Sequence, residues 1–263
     1  MKHWLNKVWL LSKYEKLLMI RTRKGILLIL MMIGLGILSI ILELTGAPKD
    51  IYKFNDILFT AYNIYFQFLP IALAVILADA ISGEKERKTW NFFMSKPFTK
   101  MQFLLSKFLT DYIVVSLAIV LMWGIVFIIA KTITSEMNCS WGQFLTLIVI
   151  SEAVVFAIVA FEITISAVSK RVSVAVLLIV ISWILLMIFN MAIPLWRGFI
   201  APWAVNSYQT SVITRLLNTG PKKLFPFEYL IGYPSINEIF ASIWIPLAEG
   251  IVFYIFAILT IKR

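Results

Sequence analysis

Very few residues of this chain belong to the types that carry out chemistry in enzymes. His3 is the only histidine and Cys139 the only cysteine, which excludes an HExxH site and any multi-cysteine metal site. The chain has no G-x-x-x-x-G-K-[ST] loop to cradle phosphates and no G-x-S-x-G nucleophile elbow. We therefore predict that this chain has no catalytic residue, no metal site and no cofactor of its own.

Acidic side chains inside apolar stretches are the remaining candidates for chemistry. Glu152 and Glu162 lie in one such stretch, where an unpaired carboxylate is costly and usually faces a bundle interior or a water-filled cavity. They could form an ion or proton relay, or contact a polar substrate. They could instead be protonated or hydrogen-bonded contacts between helices, or Glu162 could be a carboxylate near the interface that Lys170 or Arg171 balances, and we favour these structural interpretations. Asp111 falls near the end of a stretch, where we expect interfacial water to satisfy it.

A third set of polar residues could line a path through a membrane. The apolar stretch that covers 57–80 has an unusually polar first half, whose side chains either line a path or pack against neighbouring helices. Both interpretations stay open at this stage. The candidate translocation-path residues are Tyr62, Asn63, Tyr65, Gln67 and Glu152.

The densest run of charge in the chain is ISGEKERKTW, residues 81–90. From Trp90 to Pro97, apolar residues recur at i, i+3, i+4 and i+7, which predicts a short helix with one apolar face that the proline must end. Residues 99–102, TKMQ, then have the form of a capping box and start a new helix. This order of helix, break and helix is more organised than a linker requires, so we predict a docking surface.

The elements that must position these residues are membrane helices. Hydrophobic residues make up 61% of the 263 and charged residues 14%, whereas soluble domains are about half apolar and about a quarter charged. Six segments approach the roughly 20 residues that a helix needs to cross the hydrocarbon core. We therefore predict an all-α polytopic membrane protein that forms one domain, residues 1–263. The predicted spans cover 26–44, 57–80, 108–130, 144–168, 172–193 and 243–261.

The net charge of +10 does not require a nucleic-acid partner. Once the spans are drawn, most Lys and Arg residues fall at the termini and in alternate connections, which is the positive-inside pattern. We therefore expect a multi-pass protein of the cell membrane with both termini in the cytoplasm. Residues 1–24 alternate apolar positions with lysines, which predicts an interfacial amphipathic helix in contact with membrane lipid. The alternative is a plain extension of the first span.

The connection 196–242 is the longest one outside the predicted spans. Its aromatic and aliphatic residues need cover, and four prolines cut it into short pieces. Short interfacial or re-entrant helices that seal the outer mouth of a bundle fit this pattern better than a separately folded domain.

Residues 79–107 resemble the permease subunits of ABC transporters of the ABC-2 type, also called type V exporters. Those permeases carry a Glu-x-Glu/Arg-x-Gly-Thr segment between their second and third spans, followed by a leucine-rich stretch, a proline, Ser/Thr-Arg/Lys and a later Lys. The corresponding places are filled here by Glu84, Glu86, Arg87, Thr89, Pro97, Thr99, Lys100 and Lys107. Lys88 departs from the pattern, because it stands where Gly is usual, and aromatic residues replace part of the aliphatic stretch.

The resemblance implies a half-transporter that works as a homodimer or as a heterodimer with a related permease. Each copy would bind a separate ATPase subunit, which holds the ATP and Mg²⁺, through a coupling segment at 82–107. Spans that include the second and fifth would line the path, and the short outer helices at 196–242 would form its lid. Substrates of such permeases are hydrophobic or amphipathic, such as lipids, drugs or peptides, and are usually exported. The implied ATPase-coupling residues are Glu84, Lys85, Glu86, Arg87, Lys88, Thr89, Trp90, Phe93 and Met94.

Two other classes of protein compete with this interpretation. A membrane-embedded enzyme or assembly factor would place several polar residues at one depth, and only Glu152 is predicted near the middle of a span. A stand-alone secondary transporter would be expected to have two similar halves, and the first three spans do not visibly resemble the last three.

Overall fold

The computed structural model describes residues 2–21, 23–46, 54–90, 95, 99–134, 139–192, 212–213, 215–217 and 234–262. In these ranges the regular structure is helical and contains no strand, which confirms the predicted all-α class. The helices are α1 (Lys2–Arg21), α2 (Lys24–Gly46), α3 (Phe54–Leu77), α4 (Asp79–Glu86), α5 (Lys100–Ile133), α6 (Trp141–Val168), α7 (Val172–Ala192) and α8 (Ile236–Lys262).

Five stretches within the described residues are long and apolar enough to cross a membrane. They correspond to the first, second, third, fourth and sixth predicted spans. The fifth predicted span corresponds to α7, whose described apolar part, Val172–Leu186, is shorter than the other five. The five stretches are Lys24–Thr45, Phe54–Glu86, Lys100–Ile133, Trp141–Val168 and Ile236–Ile261.

Helix α6 packs against most other helices of the bundle, since it contacts α3, α4, α5, α7 and α8. Its most extensive partner is α8, and Gly250 of α8 lies close to α6. A Cβ atom at Gly250 would lie 2.5 Å from Cδ1 of Phe156 and 3.3 Å from Cα of Ala157. The absence of a side chain at this position therefore allows α8 to pack directly on α6.

Helices α2, α3 and α5 form the other half of the bundle around large buried side chains. Tyr62, Tyr65 and Trp123 are each fully buried there. The indole Nε1 of Trp123 donates to Ser151 Oγ at 3.2 Å and so joins α5 to α6. A buried indole N–H needs such an acceptor, which explains why a serine is present at this point of an apolar helix.

The stretch α3–α4 is nearly continuous and runs through Pro70. One residue, Ala78, separates the two helices and keeps helical backbone angles (φ −56°, ψ −30°). The hydroxyl of Ser166 in α6 accepts from the N–H groups of Ile81 and Ser82 at 3.0 Å and donates to the Ala78 carbonyl at 2.7 Å. A side chain that takes over backbone hydrogen bonds within a helix interrupts the helix. Ser166 of α6 therefore fixes the position at which α3 ends and α4 begins.

Helix α5 begins at the capping box that the sequence predicts. Thr99 Oγ1 accepts from the N–H of Gln102 at 3.2 Å, and Gln102 Oε1 accepts from the N–H of Thr99 at 2.9 Å. The helix continues for 34 residues, roughly 51 Å at 1.5 Å per residue, which exceeds the hydrocarbon thickness. Its first turns therefore extend beyond the predicted span 108–130 and reach the charged segment.

Residues 212–213 and 215–217 pack over the end of the bundle where α6 and α8 begin. Asn55 Nδ2 donates to the Leu217 carbonyl at 2.5 Å, and Gln143 Nε2 donates to the Leu216 carbonyl at 2.8 Å. The described hydrophobic side chains in these two short stretches are buried. Most of the connection 196–242, in which we predicted a lid, lies outside the described residues.

Candidate functional site

The charged residues gather at one end of the bundle, which we call the basic end. It contains α4, residues 87–90, the start of α5 and the ends of α6 and α8. Helix α1 also lies there, packed against α5. The sequence predicted a site within residues 79–107 only, whereas the structure adds parts of α1, α2, α6, α7 and α8 to it.

Glu84 points into the protein, where it joins a buried cluster of three charges. Glu84 Oε1 lies 3.5 Å from Lys107 Nζ, and the same Nζ donates to Glu15 Oε2 at 2.8 Å. The three side chains are between 7% and 11% exposed, and the Phe103 ring centroid lies 5.5 Å from Nζ. Removing one partner of a buried ion pair costs about 3–5 kcal/mol. This cluster therefore joins α1, α4 and α5.

The next two residues, Lys85 and Glu86, bind the ends of two other helices. Lys85 Nζ donates to the Ala167 carbonyl and lies 3.5 Å from the Ser169 carbonyl, at the end of α6. Glu86 Oε2 accepts from the N–H of Val172 at 2.9 Å, at the start of α7. A cation at a helix C-terminus and an anion at an N-terminus each complement the helix dipole by about 0.3–1 kcal/mol. Helix α4 is therefore bound to both the end of α6 and the start of α7.

A further lysine binds the end of α8. Lys100 Nζ, in the first turn of α5, donates to the Ile261 carbonyl at 2.9 Å. Together with Lys85 and Glu86, it connects the coupling segment to the basic-end termini of α6, α7 and α8. These three helices are the ones that follow the segment in the chain.

Asp79 joins the start of α2 to the end of α4. Lys24 contacts one of its carboxylate oxygens, and Arg87 Nη2 donates to the other at 2.7 Å. Gly83 lies beneath this contact, since a Cβ there would lie 1.7 Å from Asp79 Oδ1 and 2.6 Å from Arg87 Nη2. A side chain at position 83 would therefore displace the Asp79 and Arg87 side chains from this arrangement.

Lys88 ends α4 in the left-handed backbone region, with φ 60°. Its N–H donates to the Lys85 carbonyl at 3.2 Å, while the N–H of Arg87 donates to the Gly83 carbonyl at 3.0 Å. A residue just past a helix commonly adopts this conformation, and glycine does so without steric cost. This geometry suits the glycine expected at this place from the resemblance of residues 79–107, and Lys88 adopts the conformation with a side chain.

Trp90 anchors the residues after α4 against α5. Its ring packs edge to face on Phe103, with centroids 5.5 Å apart, and Lys85 Nζ lies 6.0 Å from the indole centroid. Thr89 Oγ1 donates to Glu84, which holds the turn closed. The predicted coupling residues Phe93 and Met94 lie outside the described residues.

The residues predicted to couple to an ATPase thus differ in their exposure. Glu84 is buried, Lys85 is partly buried, and Thr89 and Trp90 are partly buried against the core. Glu86, Arg87 and Lys88 are exposed at the surface of the basic end. The contact of this segment with another protein stays a prediction, and the exposed residues are the ones available for it.

The candidate path residues do not share one surface. Tyr62 and Tyr65 are fully buried, and Tyr65 Oη donates to Met32 Sδ at 3.0 Å. Asn63 is partly buried and donates to the Phe59 carbonyl in its own helix at 3.2 Å. Gln67 is exposed. The two tyrosines therefore pack against neighbouring helices within the chain.

The embedded acids differ in their surroundings. Glu152 is partly buried, and its Oε2 accepts from Tyr112 Oη at 3.4 Å. Asp111 is only 4% exposed, so our expectation that interfacial water satisfies it is wrong, because the residue faces the interior of the bundle. Glu162 is fully buried and forms no ion pair with Lys170 or Arg171 in the described structure. The proposed balancing of Glu162 by those two residues is therefore also wrong.

Helix α1 has one face bound to the bundle and another that is exposed and apolar. Ser12 Oγ lies 2.9 Å from Thr110 Oγ1, next to the Glu15–Lys107 contact. The exposed side chains on its other faces include Trp9, Leu10, Tyr14 and Leu17. Sequence reasoning did not find the bound face, because its partners lie more than 90 residues away in the chain.

A comparison with known protein families gives a match over nearly the whole chain. The sequence model of the family described as "ABC-2 family transporter protein" matches residues 10–257. A search of curated proteins finds no match to this sequence. The matched range includes every helix described above, apart from the first residues of α1 and the last residues of α8.

Proposed function

The chain belongs to the ABC-2 family of transporter proteins as a multi-pass membrane permease, and on this premise we propose that it forms half of an ATP-driven exporter. In this proposal a separate ATPase subunit binds ATP and Mg²⁺ and docks at the basic end. A second permease copy, identical or related, completes the translocation path. The observation that carries the proposal is that Arg87 and Lys88, directly after α4, are exposed charges, while Lys85 and Glu86 of α4 bind the end of α6 and the start of α7.

We place the basic end in the cytoplasm and count α7 as the fifth of six spans. The positive-inside distribution of Lys and Arg supports this orientation. With six spans, both termini lie in the cytoplasm of a cell whose plasma membrane holds the protein. Helix α1 then lies at the cytoplasmic interface, where its exposed Trp9, Leu10 and Leu17 contact lipid. Residues 212–213 and 215–217 lie at the opposite end, which is the outer end in this proposal and where a lid is expected.

The apolar surfaces that two helices expose support the proposed substrate class. Helix α3 exposes Phe68 and Val75, and α7 exposes Leu177 and Ile181. We assign these faces to the contact with the second copy and to the path between the two copies. Gln67, exposed on the same helix as Phe68, adds a polar group to the path. A path of this kind suits a hydrophobic or amphipathic cargo such as a peptide, lipid or drug.

The contacts of α4 with the ends of α6 and α7 support a proposed route of coupling. An ATPase that closes on ATP displaces α4 through its exposed side chains. Because Lys85 and Glu86 bind α6 and α7, the displacement is passed to the corner between these helices. Because Glu84 and Lys107 join α4 to α5 and α1, the whole basic end moves as one body. Stiff helices then carry this movement to the outer end.

The first experiment tests the partnership. The chain is purified together with the ATPase encoded next to it, and both co-elution and substrate-dependent ATP hydrolysis are measured in nanodiscs. Absence of any co-eluting ATPase would contradict the half-transporter proposal.

A second experiment tests the contacts that Lys85 and Glu86 make with the end of α6 and the start of α7. In the permease–ATPase complexes that form, Glu86→Gln and Lys85→Met should lower transport per ATP hydrolysed, since α4 is no longer bound to the end of α6 and the start of α7. Arg171→Gln is the matched control, because it removes an exposed charge at the same corner without removing a side-chain cap described there. Equal transport in all three variants and in the wild type would refute the coupling route while leaving the partnership intact.

A further inference from the structure

Helix α1 turns a large apolar surface away from the bundle. Its buried residues recur three or four positions apart and therefore share one side of the helix. The large apolar side chains exposed on the other sides are Trp9, Leu10, Tyr14 and Leu17. The buried residues are Val8, Leu11, Ser12, Glu15 and Met19. Tryptophan and tyrosine beside leucine are typical of a helix that lies in a membrane interface.

The exposed surface of α1 is also basic. Lys13 is exposed and Lys16 is partly exposed, and neither forms a hydrogen bond or an ion pair with the described residues. Lys13 lies one helical turn from both Trp9 and Leu17. The only acid in the sequence of α1 is Glu15, which faces the bundle and binds Lys107. The exposed surface therefore combines uncompensated positive charge with apolar side chains, which suits an anion that carries acyl chains.

The buried side of α1 is joined to the predicted coupling segment. Ser12 Oγ lies 2.9 Å from Thr110 Oγ1 of α5, and Glu15 Oε2 accepts from Lys107 Nζ at 2.8 Å. The same Nζ lies 3.5 Å from Glu84 Oε1 of α4. One buried ammonium group therefore contacts a carboxylate of α1 and a carboxylate of α4.

We propose that the exposed surface of α1 binds anionic phospholipids of the cytoplasmic leaflet, and that bound lipid restrains α4 through Glu15 and Lys107. The choice of leaflet rests on the orientation given in the proposed function. A lysine near an anionic membrane surface favours association about fivefold. Lys13 and Lys16 therefore select anionic over zwitterionic headgroups.

The other exposed residues of α1 hold the lipid at the helix. The ring of Trp9 lies at the boundary between headgroups and acyl chains, and Leu10 and Leu17 contact the chains. The long alkyl parts of the two lysines cover apolar surface while their ammonium groups reach the headgroups. Helix α1 thus connects the lipid charge of one leaflet to the segment proposed to bind an ATPase.

Quenching of tryptophan fluorescence in the full-length permease tests the lipid contact. The permease is placed in nanodiscs of equal parts phosphatidylcholine and phosphatidylglycerol, with bromine on the acyl chains of one lipid or of the other. Subtracting the emission of Trp9→Phe from that of the wild type isolates Trp9, which is 67% exposed. Brominated phosphatidylglycerol should quench Trp9 at least about twofold more strongly than brominated phosphatidylcholine, because of the two lysines.

Two controls show whether this preference belongs to α1. Lys13→Gln combined with Lys16→Gln should make the two lipids quench Trp9 equally. Trp244 is the matched reporter, because it is 64% exposed and α8 carries no Lys or Arg before Lys262. Isolated in the same way with Trp244→Phe, it should show no preference. An absence of preference at Trp9, or an equal preference at Trp244, would overturn the proposal.

Hydrogen exchange of the α4 amides tests the link to the coupling segment. Exchange in α4 should be slower in nanodiscs that contain phosphatidylglycerol than in nanodiscs of phosphatidylcholine alone. Lys13→Gln combined with Lys16→Gln should abolish this difference, and exchange that ignores lipid charge in the wild type would contradict the link. Neither measurement needs an ATPase, so a failure to co-purify one would contradict the half-transporter proposal and leave the lipid result standing.

Discussion

The left-handed backbone at Lys88 allows a quantitative test of how α4 ends. At φ 60° the side chain of any residue except glycine crowds the following carbonyl oxygen, at a cost of about 1–2 kcal/mol. Lys88 is exposed and forms no described side-chain contact, so its replacement removes no packing. Lys88→Gly relieves the crowding but gives the unfolded chain more freedom, which costs about 0.4–1 kcal/mol. The net expected gain in the free energy of unfolding is about 0.5–1 kcal/mol.

Thermal unfolding of the purified permease measures this gain. For a protein of this size, 1 kcal/mol shifts the midpoint by about 2–4 °C, so Lys88→Gly should raise it by about 1–4 °C. Lys88→Ala is the matched control, because it removes the same charge and keeps the crowded Cβ. Lys88→Asn should fall between the two, since Asn tolerates this conformation better than Ala does. A Lys88→Gly midpoint no higher than that of Lys88→Ala would refute the reasoning.

Three other tests probe separate parts of the bundle. Lys107→Met should lower the free energy of unfolding by about 3–5 kcal/mol in thermal unfolding, because Glu84 and Glu15 would stay buried without a cation; a loss below about 1 kcal/mol would contradict it. Gly250→Ala should cost about 1–3 kcal/mol, because its Cβ would lie 2.5 Å from Phe156 Cδ1. The control Gly34→Ala has no atom within 4 Å of the new Cβ, and an equal effect in both would contradict the close helix contact. Burial raises the pKa of the Cys139 thiol to about 11. Because only the thiolate reacts with maleimide, the labelling rate should still rise about tenfold per pH unit between pH 7 and 9. A labelling rate that reaches a plateau by pH 9 would contradict this prediction.

Substitutions at different charged residues of the predicted coupling segment are expected to have different effects. Glu84 and Glu86 occupy two of the family's motif positions, yet one binds a buried lysine and the other the start of α7. Loss of Glu84 is therefore expected to destabilise the fold, and loss of Glu86 to weaken coupling. Experiments that replace both at once would mix these two effects.

Several features of the site were readable from the sequence because their signals are local. The capping box at Thr99 depends on residues three positions apart, and the structure contains it. The same signature, Ser140 with Gln143, starts α6, although our sequence reasoning did not use it. The break at Ala78 could not be predicted, since it depends on Ser166, which lies 88 residues away in the chain.

The sequence by itself determined the membrane class, the positions of the apolar helices and the family. Hydropathy and helix length are properties of about 20 consecutive residues, and the coupling motif is contiguous. Only the tertiary structure decided which charged groups face inward. Glu84 and Glu86 are two residues apart, which is about 200° around a helix, so neighbouring carboxylates point to different partners. Those partners, Lys107 and the N–H of Val172, come from parts of the chain that only folding brings together.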